Sequence, residues 1–256
     1  ELLVSFAHME MNNRYEDHFV ETKAFFEDEN WKLNGSKSFV INGDSADKVI
    51  ISARIKGKIN DKNGIGLFLV DNNQINNRSY NTIDGYRAAE LNFDNIDAEL
   101  LCEDDLALEC IIKANSAGAL ALSAEAVGIM QVCFDLTLDY LKTRKQFGKS
   151  IGSFQSIQHR MVDMMLEIEQ VRSAVMLASS TFETNSSTRD KNVSAAKNLV
   201  GRVGKLIAEE AIQLHGGIAM TWEYSVAHYA KRLIMIDHLM GDEDYHRDRF
   251  KLLSSI

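Results

Sequence analysis

Through roughly the first hundred residues, apolar and polar positions alternate. Near residue 103 the spacing changes to every third or fourth residue. The chain opens in strand style with E-L-L-V-S-F-A. The stretch Trp31–Asn42 alternates around an Asn34-Gly35 pair, which predicts a hairpin. Asp47–Arg54, Ile65–Val70 and Ala88–Phe93 are further short apolar runs bounded by turn residues, and together they predict a small barrel or sandwich. A helix over about Asp104–Thr143 is apolar nearly all round and is therefore expected to be central. Phe154, Ile157, Met161, Met164, Ile168, Val171 and Val175 form one helical stripe; Val193, Ala196, Leu199, Val203, Ile207, Ala211 and Leu214 form another. The polar stretch Asn185–Asp190 reads as the loop between them. The expected fold is α+β: a β domain over 1–102, then an antiparallel bundle of four to five helices over 103–256.

Composition narrows the function classes. At 256 residues, with 45% hydrophobic and 25% charged residues, the chain can bury a sizeable core. A net charge of −9 argues against a nucleic-acid surface. Cys102, Cys110 and Cys133 form no CxxC, so neither a disulfide framework nor a metal knuckle is indicated, and a cytoplasmic setting is expected. The most apolar run, Ala117–Phe134, is interrupted by Ser123, Glu125 and Gln131 and reads as a buried helix, so no membrane span is expected. The absence of an initiator Met leads us to expect an N-terminal part beyond this sequence.

Three stretches carry candidate chemistry. T-R-K-Q-F-G-K-S-I-G-S-F-Q (Thr143–Gln155) places Arg144, Lys145 and Lys149 at a helix end. There they either complement the helix dipole, with Gly148 as a stop, or grip phosphate beside a new helix N-terminus. Q-L-H-G-G (Gln213–Gly217) is either a C-cap or a bare backbone that admits a ligand. His238, Asp242 and His246 lie four apart and would share a helix face, which fits either a metal site or a solvated surface. GxGxxG, GxxxxGK and GxSxG motifs are absent, and Lys56-Gly-Lys58 reads as an exposed turn.

R-K-Q-F-G, then I-G-S-F-Q-S-I-Q, then Q-L-H-G-G-I-A-M-T-W-E-Y, in that order, resemble the acyl-CoA dehydrogenase family. N-G-S-K-S-F-V-I-N (Asn34–Asn42) is similar to the family's strand pair beside the flavin. The likeness covers the family's middle and C-terminal domains and implies FAD. It implies contacts to the cofactor's pyrophosphate and adenosine from Arg144 and Phe147, with Gln155 close by. The cofactor that Arg144 and Phe147 contact would usually be that of a neighbouring subunit, and Gln213, Gly216 and Gly217 would lie on the adenosine side. It also implies that Phe6, Met9, Phe39 and Ile41 stand beside the isoalloxazine, with Met9, Phe39 and Ile41 replacing the family's frequent Thr, Trp and Thr.

The implied chemistry needs a carboxylate base. Counting 27 residues from Gln213, the family's spacing lands on Met240, and a second family position falls on Gly118; neither takes a proton. Glu125, seven residues beyond Gly118, and Asp242 or Glu243 are the substitute candidates. A subgroup likeness supplies another explanation. L-N-G-S-K-S-F-V-I-N-G-D-S-A-D-K, D-G-Y-R-A-A-E and M-T-W-E-Y resemble small-subunit, pimeloyl-CoA dehydrogenase-type chains. Such chains often work in heteromers in which one chain type lacks the base. The implied activity is α,β-dehydrogenation of a CoA thioester in a homo- or heterotetramer, with an electron-transfer flavoprotein-like acceptor. The alternatives are a non-catalytic structural subunit and a homomer with a relocated base.

Overall fold

The computed structural model describes residues 2–255. Seven strands come first: β1 (Val4–Ala7), β2 (Lys23–Glu27), β3 (Asn30–Ile41), β4 (Lys48–Arg54), β5 (Ile65–Asp71), β6 (Asn76–Asn81) and β7 (Arg87–Glu103). β1 runs parallel to β4; the β4–β5, β5–β7, β7–β3 and β3–β2 pairs are antiparallel, and β2 meets β4 at Lys23 and Arg54. Inward residues of this sheet, among them Leu33, Val49, Ile51, Phe68 and Leu91, are fully buried.

The Asn34-Gly35 pair is not a hairpin. β3 runs straight through it with a register shift against β7 between Leu33 and Gly35. Gly35 adopts φ +142°, and a Cβ there would come within 2.8 Å of the Thr22 Cα, so the glycine serves a close backbone approach. The actual hairpin joins β2 to β3 through Asp28 and Glu29, both left-handed (φ 51° and 64°).

The helical elements are α1 (Asp104–Thr143), a two-residue hairpin of β8 (Lys145–Gln146) and β9 (Lys149–Ser150), then α2 (Gln155–Ser180), α3 (Ser186–His215), α4 (Ser225–His238) and α5 (Glu243–Ser254). The chain divides into two units, Glu1–Ala114 and Asn115–Ile256, so the division falls within α1. In the second unit, α3 is the hub against which α2, α4 and α5 pack. Met161, Met164, Ile168, Val171 and Val175 of α2 meet Val193, Ala196, Val203, Ile207 and Ala211 of α3 in one core. The stretch expected as a polar loop instead begins α3. Asn185 is its N-cap, its side chain accepting from the Thr188 N–H at 2.9 Å, and Arg189 and Asp190 are a buried ion pair.

α1 departs from its expected central place. Ser116, Ala119, Ser123, Ala126, Met130, Cys133, Thr137 and Leu141 form one buried stripe, while Leu106 and Val132 are exposed. By length and composition, this helix is apolar enough to cross a membrane, against the expectation that no segment qualifies. The interrupting Ser123 and Thr137 are accommodated because their hydroxyls donate to the carbonyls of Ala119 and Cys133, one turn back.

Candidate functional site

Tyr140, in the last turn of α1, stacks on His215, the last residue of α3, with ring centroids 4.6 Å apart. That contact places the segment after α1 and the segment after α3 at the same end of the bundle. After α1, the Arg144 carbonyl accepts from the Ile151 N–H at 2.9 Å, closing the β8–β9 hairpin. Its two-residue turn is Phe147-Gly148, both left-handed (φ 54° and 79°), so Gly148 is a hairpin residue and not a helix stop. A phenylalanine in this conformation is disfavoured, and Phe147 is also 91% exposed. Its ring lies edge-on to Phe154, next to Gln155, the exposed first residue of α2. Arg144 is exposed on the same hairpin.

After α3, Gly216 (φ +68°) caps the helix, its N–H donating to the Gln213 and Ile212 carbonyls. The C-cap role of the glycine pair is observed, and the backbone beside it is bare. Gly216 stops the helix, and nothing lies within 4 Å of a Cβ built at either Gly216 or Gly217, so open space faces an exposed Gln213. His215 is buried, with Nδ1 donating to the Ala211 carbonyl at 2.8 Å, and is part of the packing.

The two positions where a base is expected come together. A Cβ at Gly118 would lie 3.3 Å from the Met240 Cγ and Cε. Methionine therefore fills the room that glycine leaves, and neither residue has a proton acceptor. Two of the three substitute carboxylates, Glu125 and Asp242, have partners of their own. Glu125 is held bidentately by Arg232, at 2.6 and 2.8 Å. Asp242 is the N-cap of α5, accepting from the Tyr245 N–H at 2.9 Å. Glu243 opens α5, where its main chain is fixed by Asp237 and Asn198. The supposed metal face dissolves for the same reason. His238 ends α4, Asp242 caps α5 and His246 is buried, and no metal-holding group of three occurs among the described residues.

Lys197, which sequence reasoning missed, and His246, which it read in another role, hold the turn carrying Met240. Lys197, fully buried in the apolar stripe of α3, donates from Nζ to the carbonyls of Gly241 (2.7 Å) and Asp237 (3.0 Å). His246 donates from Nε2 to the Met240 carbonyl at 2.8 Å, which fixes its neutral tautomer. A charge on an apolar helical face was the available signal for Lys197.

In the β unit, the Ser38 N–H donates to the Met9 carbonyl (2.9 Å) and the Ser5 hydroxyl to the Ile41 carbonyl (3.0 Å). Phe6 and Met9 are thereby set beside Phe39 and Ile41, all four half-buried, with Phe39 left-handed at φ +52°. Beneath them lies a buried polar cluster also missed in the sequence. Lys37 Nζ reaches Glu10 (2.7 Å), the Ser52 hydroxyl (2.9 Å) and the His8 carbonyl (3.2 Å). Burial pushes the Lys37 ammonium down to about 8 against the pull of Glu10. Burial pushes the Glu10 carboxyl up, but Lys37 and the bonds from Lys37 and Thr22 outweigh it, so the net shift is downward.

His8 and His246 share one consequence. Burial first, then a nearby lysine, push both imidazoles from 6.5 to about 3. Unfolding returns them to 6.5, so the unfolded chain binds protons that the folded chain excludes. Their contribution to stability is complete above pH 6.5 and is lost as pH falls from there toward 3. Each histidine adds a slope of about 1.4 kcal/mol per pH unit in that window. Urea unfolding at a series of pH values measures it; His8→Gln should remove about half the slope, and a flat profile below pH 6.5 would contradict the assignment.

The β sheet is followed by a helical bundle in which Arg144, Gly216 and Gly217 are exposed at one end, a two-unit α+β scaffold. The sequence matches the acyl-CoA dehydrogenase middle domain over residues 5–96 and the C-terminal domain over 108–251. The chain belongs to the acyl-CoA dehydrogenase family. It is 38% identical over 123 residues to acyl-CoA dehydrogenase IpdE2 of Mycolicibacterium smegmatis, covering 48% of this chain and 38% of that protein. It is 31% identical to a probable acyl-CoA dehydrogenase, YngJ, of Bacillus subtilis, over 81% of this chain and 56% of that one. Butyryl-CoA dehydrogenase from Megasphaera elsdenii superposes with a TM-score of 0.91 at 25% identity, covering all of this chain and 68% of that one. The chain spans about half the length of curated relatives such as YngJ.

Proposed function

We propose that this chain binds FAD and a CoA thioester on the family scaffold, lacks its own catalytic base, and works as a subunit beside a related chain that supplies the carboxylate. The observation that carries this is the Gly118–Met240 contact, an apolar pair at both expected base positions, with Glu125 and Asp242 tied to other partners. The reaction is the α,β-dehydrogenation of a thioester of medium, dicarboxylic or steroid-side-chain type, with an electron-transfer flavoprotein-like acceptor and a cytoplasmic setting. When bound, the flavin supplies the acceptor for the hydride that leaves the β-carbon.

The residues present fit that cofactor. Arg144 offers an exposed guanidinium for phosphate. Gly216 and Gly217 leave space for an adenosine beside Gln213, and Phe147 offers a ring to stack on it. The Met240 N–H, which donates to no group among the described residues, is available to the thioester carbonyl. The length of α1 supports an oligomer. α1 is one unbroken helix, and about 37 Å of it separates Gly118 from Thr143. That is too far for one dinucleotide to touch both ends, so the adenosine-gripping end of one chain serves the site of another.

Arg144→Ala should weaken flavin retention by about 1.5–3 kcal/mol, the worth of a charge-assisted bond. Flavin absorbance after gel filtration reads this, and an undiminished flavin content would reject the role of Arg144. The visible spectrum of the purified protein tests the reading as a whole. Near-stoichiometric flavin bands are expected, and a colourless protein that rejects added FAD would make it a structural subunit.

A further inference from the structure

The turn after α4 is over-determined for a methionine. Met240 sits at φ +56° and Gly241 at φ +100°, a backbone that side chains disfavour. A Cβ at Gly241 would collide with Tyr245 and His246, and one at Gly201 with the Asp237 carboxylate, so α3, the turn and α5 are in close contact. Four main-chain carbonyls between Asp237 and Glu243 are fixed here by side chains. Lys197 takes the carbonyls of Asp237 and Gly241, His246 that of Met240, and Asn198 that of Glu243. A fully buried lysine that spends its ammonium on carbonyls carries a desolvation cost that a packed apolar residue would not. The N–H groups of Met240 and Gly241 donate to no partner among the described residues.

We infer that Lys197 and His246 are positioning residues that clamp the Leu239–Gly241 turn to α3, presenting the Met240 and Gly241 N–H groups as fixed donors to a thioester carbonyl. The side chain at 240 has no acid–base group, so what the clamp fixes is the backbone of the turn. The ligand part of the inference rests on the proposed thioester reading; the clamp itself rests on the distances above.

The charge on Lys197 is set by burial, which lowers it to about 8, against the upward pull of Asp237 and Asp242; His246 and Arg249 of α5 complete the ionisable surroundings. Above that pH the ammonium loses a proton and the clamp weakens.

Met240-Gly241 is the single Met-Gly step in the sequence. Labelling the protein with carbonyl-13C methionine and 15N glycine therefore gives one amide–carbonyl NMR cross-peak, reporting the Met240 carbonyl and the Gly241 N–H. The expected result is a peak that moves with a midpoint near pH 8 and shifts on addition of butyryl-CoA or octanoyl-CoA. In Lys197→Met, the pH step is lost and the thioester response falls. A wild-type peak with no step near pH 8, or a step that Lys197→Met leaves in place, overturns the clamp whatever the thioesters do. An intact step that disappears in the variant, with no response to either thioester, keeps the clamp and overturns the thioester reading. The wild-type titration decides the first question even where the variant does not fold.

Discussion

Met240→Glu should give the flavin-loaded protein an acyl-CoA dehydrogenase activity of its own, with turnover rising by about 10²–10⁴-fold, the usual contribution of a positioned general base. The wild-type side chain packs over Gly118, which has no Cβ, so a glutamate enters space that is already open along its inner side. The turn is already held left-handed by Lys197 and His246, so the backbone need not rearrange to present the new carboxylate. Dye-coupled turnover with a series of CoA thioesters measures the gain. A flavin-loaded variant with no gain on any of them would mean that the acyl site is deficient beyond its missing base.

The second large effect is on stability. Lys37→Met should destabilise the β unit by about 3–5 kcal/mol, because it leaves the Glu10 carboxylate buried without its cation. Glu10 also accepts from the Thr22 N–H and hydroxyl and from the Glu21 N–H, so it ties the segment after β1 to the segment before β2. Losing Lys37 therefore loosens the segment that carries Met9 and the strand that carries Phe39, as well as the core. Removing both charges together, as Lys37→Met with Glu10→Gln, should recover part of the loss, since no unpaired ion remains. Equilibrium unfolding in urea separates the single from the double variant. A single variant within about 0.5 kcal/mol of wild type, the usual range of a neutral surface change, would contradict the buried pair.

The helical stripes were legible because burial on α2 and α3 follows the 3.6-residue period. Met161 to Val175 and Val193 to Leu214 supply most of the core those helices share. Turn chemistry was harder to read. Asn34-Gly35 is a strong hairpin signal by composition, but the glycine was needed to let β3 pass Thr22, while the true turn used Asp28-Glu29. β6, N-N-R-S-Y-N, left no trace in the apolar pattern because nearly all of it is exposed. At the site, the order of motifs identified the bundle end that holds Arg144, Phe147 and Gly216, and a residue count located Met240. What the count could not supply was the contact of Met240 with Gly118 or the pairing of Glu125 with Arg232, 107 residues away. The partners of Lys197 are likewise beyond local reading, since its bonds run to carbonyls 40 and 44 residues later.

The central claim is that the scaffold binds cofactor and thioester while the base resides in another chain. Its most direct test is an anaerobic single turnover: the flavin-loaded protein is mixed with CoA thioesters, and bleaching of the flavin band is followed, first alone and then with a related chain that carries the carboxylate. The account predicts no bleaching for the protein alone and full bleaching of the assembled sites once the partner is added. Rapid bleaching by the protein alone would contradict it.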